Sequence, residues 1–177
     1  MINTTLTKKI LNTLLKTGGS FSEVFAQKKE VNNIRLEDGK IENSSSGFEL
    51  GCGLRLIYKD STFYAYVDSL QQDIILNAAQ ILSAAVNETG EIKVLNLSNV
   101  YSSYIAPIKK HPSEIIQEHK KEILLSVDNF ARNYSHYIIQ VSSNLSDLEE
   151  EIYIANSEGI ICHDSNTKVM LSVSVVA

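Results

Sequence analysis

The sequence predicts an α+β fold in which antiparallel hairpins and a four-stranded meander pack against about three helices. Three observations predict it. Apolar residues recur at helical spacing in three separate segments, apolar and polar residues alternate in the runs between them, and short turn signals join neighbouring runs. With 177 residues, the chain suits one medium domain or two small lobes and can bury a real core.

The first helix is expected at about 5–16. Leu6, Ile10, Leu11, Leu14 and Leu15 share one face, and Gly18-Gly19 closes the pattern as a C-cap pair. The period then shortens to two. Strand character appears at 24–29 and again at 32–37, followed by Asp38-Gly39 with Ile41 on the far side. Such a two-residue loop needs positive φ at both positions, which Asp-Gly tolerates, so it marks a hairpin. Residues 48–58 alternate cleanly. Leu50, Cys52, Leu54, Leu56 and Tyr58 point one way and Gly51, Gly53 and Arg55 the other, leaving a strip of bare backbone. Either another element packs very closely on that strip or the strand bends sharply. Lys59-Asp60 turns the chain into 62–67, a second hairpin.

Ser69 and Gln72 have capping-box spacing, predicting a helix from there to Val86 whose buried stripe is Ile74, Ile75, Ala78, Ile81, Leu82 and Ala85. Residues 88–112 are mixed and polar, with one strand-like piece at 92–97, and read as a connection between lobes. A third helix is expected over 113–134, with Ile116, Ile123, Val127, Phe130 and Tyr134 in one arc and Glu114, Glu118, Lys121 and Arg132 opposite. Four strands then follow at about 136–144, 150–156, 159–163 and 168–176, with turns at 156–159 and 164–166. The organisation is therefore an N-terminal α/β hairpin lobe (1–87), a connecting segment (88–112), and a helix plus antiparallel meander (113–177). Leu171, Val173 and Val175 still alternate with Ser172 and Ser174 at the last residue. An exposed apolar strand is an aggregation hazard that proteins normally cover, so this reads as a piece of something longer.

Composition excludes several function classes. The net charge of −5 and the lack of an arginine/lysine stripe argue against nucleic acid. Lys28-Lys29, Lys109-Lys110 and Lys120-Lys121 are isolated doublets that read as solvated surface. No run approaches the apolar length of a spanning helix or of a signal peptide, so a membrane partner is not expected. Two cysteines, Cys52 and Cys162, make no disulfide framework, which suits a reduced, cytoplasmic chain.

The search for chemistry assembles no site. A hydrolytic zinc centre needs paired imidazoles and a carboxylate with one open position. The four histidines, His111, His119, His136 and His163, include no H-E-x-x-H pair. His119 and Glu122 lie three apart, as do His111 and Glu114, and both pairs read better as boundary residues than as ligands. Asp147, Glu149, Glu150 and Glu151 form an acidic cluster best read as solvated, since paired carboxylates act as acid and base only when their environments differ. Cys52, flanked along its face by Leu50 and Leu54, reads as buried and inert. Gly51-Cys52-Gly53 lacks the lysine and helix start of a phosphate loop, and Gly18-Gly19-Ser20 precedes a strand. No catalytic, cofactor-binding or metal residue is assigned.

Four stretches together resemble the N-terminal region of the TldD/PmbA family of zinc metallopeptidases. They are Gly18-Gly-Ser-Phe-Ser-Glu-Val-Phe25; Ile34-Arg-Leu-Glu-Asp-Gly-Lys-Ile-Glu42; Gly51-Cys-Gly-Leu-Arg-Leu-Ile57 running on through Phe63-Tyr-Ala-Tyr-Val-Asp68; and Asn156-Ser-Glu-Gly159 with Leu171-Ser-Val-Ser-Val175. The Ala65-Tyr66-x-Asp68 step and the closing strand favour the TldD branch. The resemblance implies proteolysis of unfolded or modified peptides by a longer parent protein. It places the zinc helix of that protein outside these residues, so none of them inherits a catalytic or metal role. It further implies assembly as a homo-oligomer or with a PmbA-type subunit, with these lobes shaping the substrate chamber and the interface. The alternative is a non-catalytic binding or assembly module that acts with a partner.

Overall fold

The computed structural model describes residues 1–86, 97–99 and 107–177. Its elements run α1 (Thr4–Leu15), β1 (Phe21–Glu37), β2 (Lys40–Tyr58), β3 (Ser61–Val67), α2 (Gln72–Ala84), β4 (Ser98–Asn99), a 3₁₀ turn (Pro112–Glu114), α3 (Gln117–Tyr134), β5 (Gln140–Asn156) and β6 (Ile160–Val176). The strands form one sheet in the order β3-β2-β1-β5-β6-β4. The fold is α+β, as the sequence predicts.

Local chemistry explains most turns. Asp38 and Gly39 have φ of 48° and 74°, the double positive φ of a two-residue hairpin, so β1 and β2 run antiparallel. Lys59 (φ 52°) opens the β2–β3 turn, whose register pairs Gly53 with Tyr66 and Arg55 with Tyr64. At the β5–β6 turn, Gly159 takes φ 96° and the Asn156 carboxamide oxygen accepts from the Glu158 and Ile160 amides. The Ser157 amide donates to the Ser22 carbonyl and the Asp38 amide to the Val141 carbonyl, so β1 and β5 are antiparallel along their length.

Several expected elements differ. The two strands expected at 24–29 and 32–37 are one, β1, and β2 starts at Lys40, eight residues before the clear alternation. The four-stranded meander is two long strands, β5 and β6, with no turn at 164–166. The expected break at 145–149 is absent too: the acidic run there lies within β5, where Asp147 bonds to Lys120 and Asn32. The capping box also fails: Gln71 is the N-cap of α2 without a side-chain bond, and the Ser69 hydroxyl instead accepts from the Gln71 amide at 3.1 Å. The third helix starts at Gln117, because Ile115 and Ile116 stay extended after the 3₁₀ turn. The strand-like piece expected at 92–97 falls almost wholly outside the described residues.

Contacts divide the chain into two units that interleave along the sequence. The first comprises Met1–Lys28, Glu49–Ile105 and Glu151–Ser165, the second Lys29–Phe48, Ala106–Glu150 and Asn166–Ala177. The first unit holds the larger core. Asn3 caps α1 by accepting from the Leu6 amide at 2.9 Å. Ile10, Leu11 and Leu14 of α1 are fully buried against Val24, Leu54, Leu56 and Ile75. Each such side chain contributes about 1.5–3 kcal/mol through burial. The Thr7 and Tyr153 hydroxyls bond to each other at 2.8 Å inside this core, which removes the cost of burying either. The stripe of α2 is rotated from the expected one. Ile75, Ala78, Ala79, Leu82 and Ser83 face inward, while Ile74 and Ile81 are exposed.

The second unit has a small apolar core of Ile34, Leu36, Leu124 and Leu145. The buried residues of α3 are Lys120, Leu124 and Asp128, so the helix meets the sheet along a largely polar seam. The expected apolar arc does not face the core. Ile116, Phe130 and Tyr134 are exposed, and Ile123 and Val127 only half-buried. The reading of Lys120 and Asp147 as solvated is also overturned. The Lys120 ammonium donates to Asp147 at 2.6 Å, both side chains are under 10% exposed, and Asn32 donates to the other Asp147 oxygen at 3.0 Å. Charges are buried here because each is paired and hydrogen-bonded. At the far end of α3, Arg132 pairs with Asp128 at 3.0 Å and with Asp38. The Val141 amide and Arg132 hold the Asp38 carboxyl below the usual carboxylate range.

Candidate functional site

Alternation in β2 gives the sheet of the first unit two different faces. Cys52, Leu54 and Leu56 point into the helical core, which leaves Gly51, Gly53 and Arg55 on the opposite face. An open groove of about 440 Å³ lies on that second face. Its lining includes Glu23 and Phe25 from β1, Gly53 and Arg55 from β2, and Tyr64 and Tyr66 from β3.

The two glycines serve different ends. Tyr66, paired with Gly53, leans diagonally along the sheet so that a Cβ on Gly51 would lie 2.6 Å from its Cζ. Gly51 therefore makes room for the Tyr66 ring. At Gly53 a Cβ would meet only the Phe25 carbonyl at 3.9 Å and the Phe25 Cβ at 4.0 Å, so the absent side chain simply leaves a hollow. Of the two expected explanations for the bare strip, close packing holds at Gly51, and the packing group is a side chain.

Arg55 anchors one wall. Its guanidinium bonds to Glu23 at 3.1 Å and lies 5.1 Å from the centre of the Phe21 ring, combining an ion pair with a cation–π contact. Tyr64 and Tyr66 are about 70% exposed, so two aromatic surfaces stand in water beside an apolar floor. Such a surface can take an apolar or aromatic side chain while the phenol groups bond to a backbone. At Gly53 it cannot take a strand in β-pairing. Over Cys52–Tyr58, β2 lies between β1 and β3, so both edges at Gly53 are already occupied.

The residues weighed as chemical candidates are scattered. His111 is 3.6 Å from Glu149, whose carboxylate also accepts from the Ser113 amide and hydroxyl at 3.1 Å. His119 pairs with Glu122 at 3.3 Å, both exposed, and His163 with Glu151 at 4.0 Å. His136 stacks on Tyr137 with ring centres 4.0 Å apart. Cys52 is buried, and desolvation pushes its thiol up to about 12, so it is not a nucleophile at neutral pH. Among the described residues, no three His, Cys, Asp or Glu side chains converge on a point that could hold a metal ion. They do not fit a zinc centre, and no catalytic step is derived from them. The groove residues were only half visible in the sequence. Gly51, Gly53 and Arg55 share a face by alternation, but the tyrosines join them only through the β2–β3 register.

Two family models match this chain: PmbA/TldA metallopeptidase domain 1 over residues 22–86, and the central domain of the same family over residues 110–177. The chain belongs to the PmbA/TldD metallopeptidase family. It is 30% identical over 162 residues to the metalloprotease TldD homolog of Haemophilus influenzae, covering 88% of this chain and 33% of that protein. It is 27% identical over 160 residues to the TldD homolog of Buchnera aphidicola subsp. Schizaphis graminum, covering 88% of this chain and 32% of that protein. A solved structure from Bacteroides thetaiotaomicron, described as a candidate modulator of DNA gyrase, superimposes with a TM-score of 0.73 at 18% identity. That superposition covers 99% of this chain and 42% of the other, and shows a shared fold. This PmbA/TldD chain thus spans about a third of the length of the curated relatives it matches. Among its described residues, no helix is long and apolar enough to cross a membrane.

Proposed function

We propose that this chain forms the first and central lobes of a TldD-branch metallopeptidase acting on unfolded or modified peptides. In this reading the lobes shape access to the substrate chamber and contribute to the subunit interface, and hydrolysis is carried out elsewhere in the protein. Zinc is the metal of the whole enzyme, which is cytoplasmic and works as a homo-oligomer or with a PmbA-type partner. The branch assignment rests on the TldD names of the curated relatives and on the Ala65-Tyr66-x-Asp68 step.

One observation carries the role of these lobes: the groove at Gly53 between Tyr64, Tyr66 and the Arg55–Glu23 pair. A peptide that enters as an extended chain can rest an apolar side chain there. Binding of this kind acts equally on ground and transition states, so it sets KM and leaves kcat alone. The test is Tyr66→Ala in a protein of full family length, assayed on an unstructured peptide. Loss of an aromatic contact of about 1.4 kcal/mol raises KM about tenfold. An unchanged KM, or zinc-dependent cleavage by residues 1–177 alone, would overturn the reading.

The alternative is a non-catalytic binding or assembly module that acts with a partner subunit. Joining the chain to a metal-bearing partner and following peptide cleavage separates the two. Activity that is indifferent to residues 1–177 would leave only the module.

A further inference from the structure

Three aromatic side chains line the groove at Gly53: Phe25 of β1 and Tyr64 and Tyr66 of β3. Tyr64 and Tyr66 stand two residues apart on one strand and therefore project from the same face of the sheet. Strand rise alone sets such neighbours about 6.8 Å apart. A flat ring inserted between two others needs about 7–8 Å, because each carbon contact takes about 3.5–4.0 Å. The lean of Tyr66 supplies the difference. Tyr66 pairs with Gly53 and Tyr64 with Arg55, so a ring displaced toward Gly51 moves away from Tyr64. Gly51 opens the gap in this way, and Gly53 leaves its floor free of a side chain.

The charges favour the same occupant. Arg55 and Glu23, the charged residues of the lining, bind each other at 3.1 Å. A charged side chain entering the groove would therefore leave water with no counter-charge to meet it. An aromatic ring instead brings the negative face of its π system to a guanidinium that already lies 5.1 Å from the centre of the Phe21 ring. An aliphatic side chain gains neither the stacking nor this attraction. The volume of about 440 Å³ lies within the range of roughly 300–1,000 Å³ common for small-ligand sites. We propose that the groove is a recognition subsite for one aromatic side chain of an extended peptide, preferred over aliphatic and charged side chains. This deepens the proposed function by naming the side-chain class, and rests on it only in taking a peptide as the ligand.

The test titrates the 177-residue chain with blocked glycine peptides that carry one central tryptophan, leucine or lysine. The chain has no tryptophan, so indole fluorescence reports binding of the first peptide directly, and competition by the other two ranks them. The tryptophan peptide is expected to bind about tenfold tighter than the leucine peptide, with the lysine peptide weaker still. Gly51→Ala displaces the Tyr66 ring from its place over Gly51, narrows the gap, and should cost the tryptophan peptide most of that advantage. In a Tyr66→Ala background the same change should cost nothing, because no ring is left to move. Equal affinity for the tryptophan and leucine peptides would overturn the aromatic preference, as would failure of every peptide to bind. A Gly51→Ala loss of the same size in both backgrounds would overturn it too, since that is the mark of a general disturbance of the fold. So would tryptophan binding by this chain that a protein of full family length lacks, because the groove would then be filled within that protein. The proposed function fails separately: an unchanged KM for Tyr66→Ala in the full-length enzyme removes it and leaves a chain that prefers tryptophan.

Discussion

Replacing Asp147 with alanine is the sharpest test of how the second unit is held together. The carboxylate accepts from Lys120 at 2.6 Å and from Asn32 at 3.0 Å, and both charged side chains are under 10% exposed. Removing it leaves an ammonium beneath α3 with neither water nor a counter-charge, and takes away the acceptor of Asn32. Breaking a buried pair from one side costs about 3–5 kcal/mol. Against a typical domain stability of about 5–15 kcal/mol, that is a large fraction. Replacing both partners with apolar residues of similar size, Lys120→Met with Asp147→Leu, removes the orphaned charge and should recover most of the loss. Urea denaturation followed by circular dichroism reads both variants. A control, Glu151→Ala, removes an exposed carboxylate 4.0 Å from His163 and should change stability by less than about 1 kcal/mol. The reasoning fails if Asp147→Ala unfolds at the wild-type midpoint, or if the double variant is no more stable than the single one.

Three further outcomes follow from the same geometry. Cys52, with its thiol pushed up to about 12 by burial, should resist alkylation at pH 8 in the folded chain and react in denaturant; equal rates would refute its burial. Because its folded pKa is raised, its contribution to stability is complete below the ordinary thiol range and is lost as pH rises toward the folded value. Asp38 is the opposite case. Its carboxyl is lowered by the Val141 amide and then by Arg132, so its stabilisation is present above the ordinary carboxylate range and lost as pH falls through the lowered value. Asp38→Asn should therefore weaken the fold at neutral pH and make no difference in strong acid, as thermal melts at the two extremes would show. Gly53→Leu should leave stability within about 1 kcal/mol, since the site has room for a side chain, yet raise KM in a full-length enzyme by filling the groove.

Much of the fold was legible because it depends on neighbours in sequence. Helix α1, the Asp38-Gly39 hairpin, the β2–β3 turn and the Asn156–Gly159 turn all follow from period and from which residues tolerate positive φ. The polar character of segments 136–176 misled, because a run of acids looks like a turn until its partners are known. Asp147 stays within a strand since Lys120, 27 residues earlier, meets it. The outward apolar arc of α3 was unreadable for the same reason. Which side of an amphipathic helix is buried depends on what it packs against, and here Lys120 and Arg132 of α3 pair with Asp147 and Asp38.

The candidate site divides along the same line. Alternation in β2 set Gly51, Gly53 and Arg55 on one face, and hydrophobic neighbours already marked Cys52 as core. Only the tertiary structure decided that Tyr66 lies over Gly51, that Tyr64 and Tyr66 wall the hollow at Gly53, and that Glu23 holds Arg55. Covalent neighbours and side-chain period determine which way a residue points. Only strand register and packing determine what it meets there, because those contacts join residues far apart in the chain.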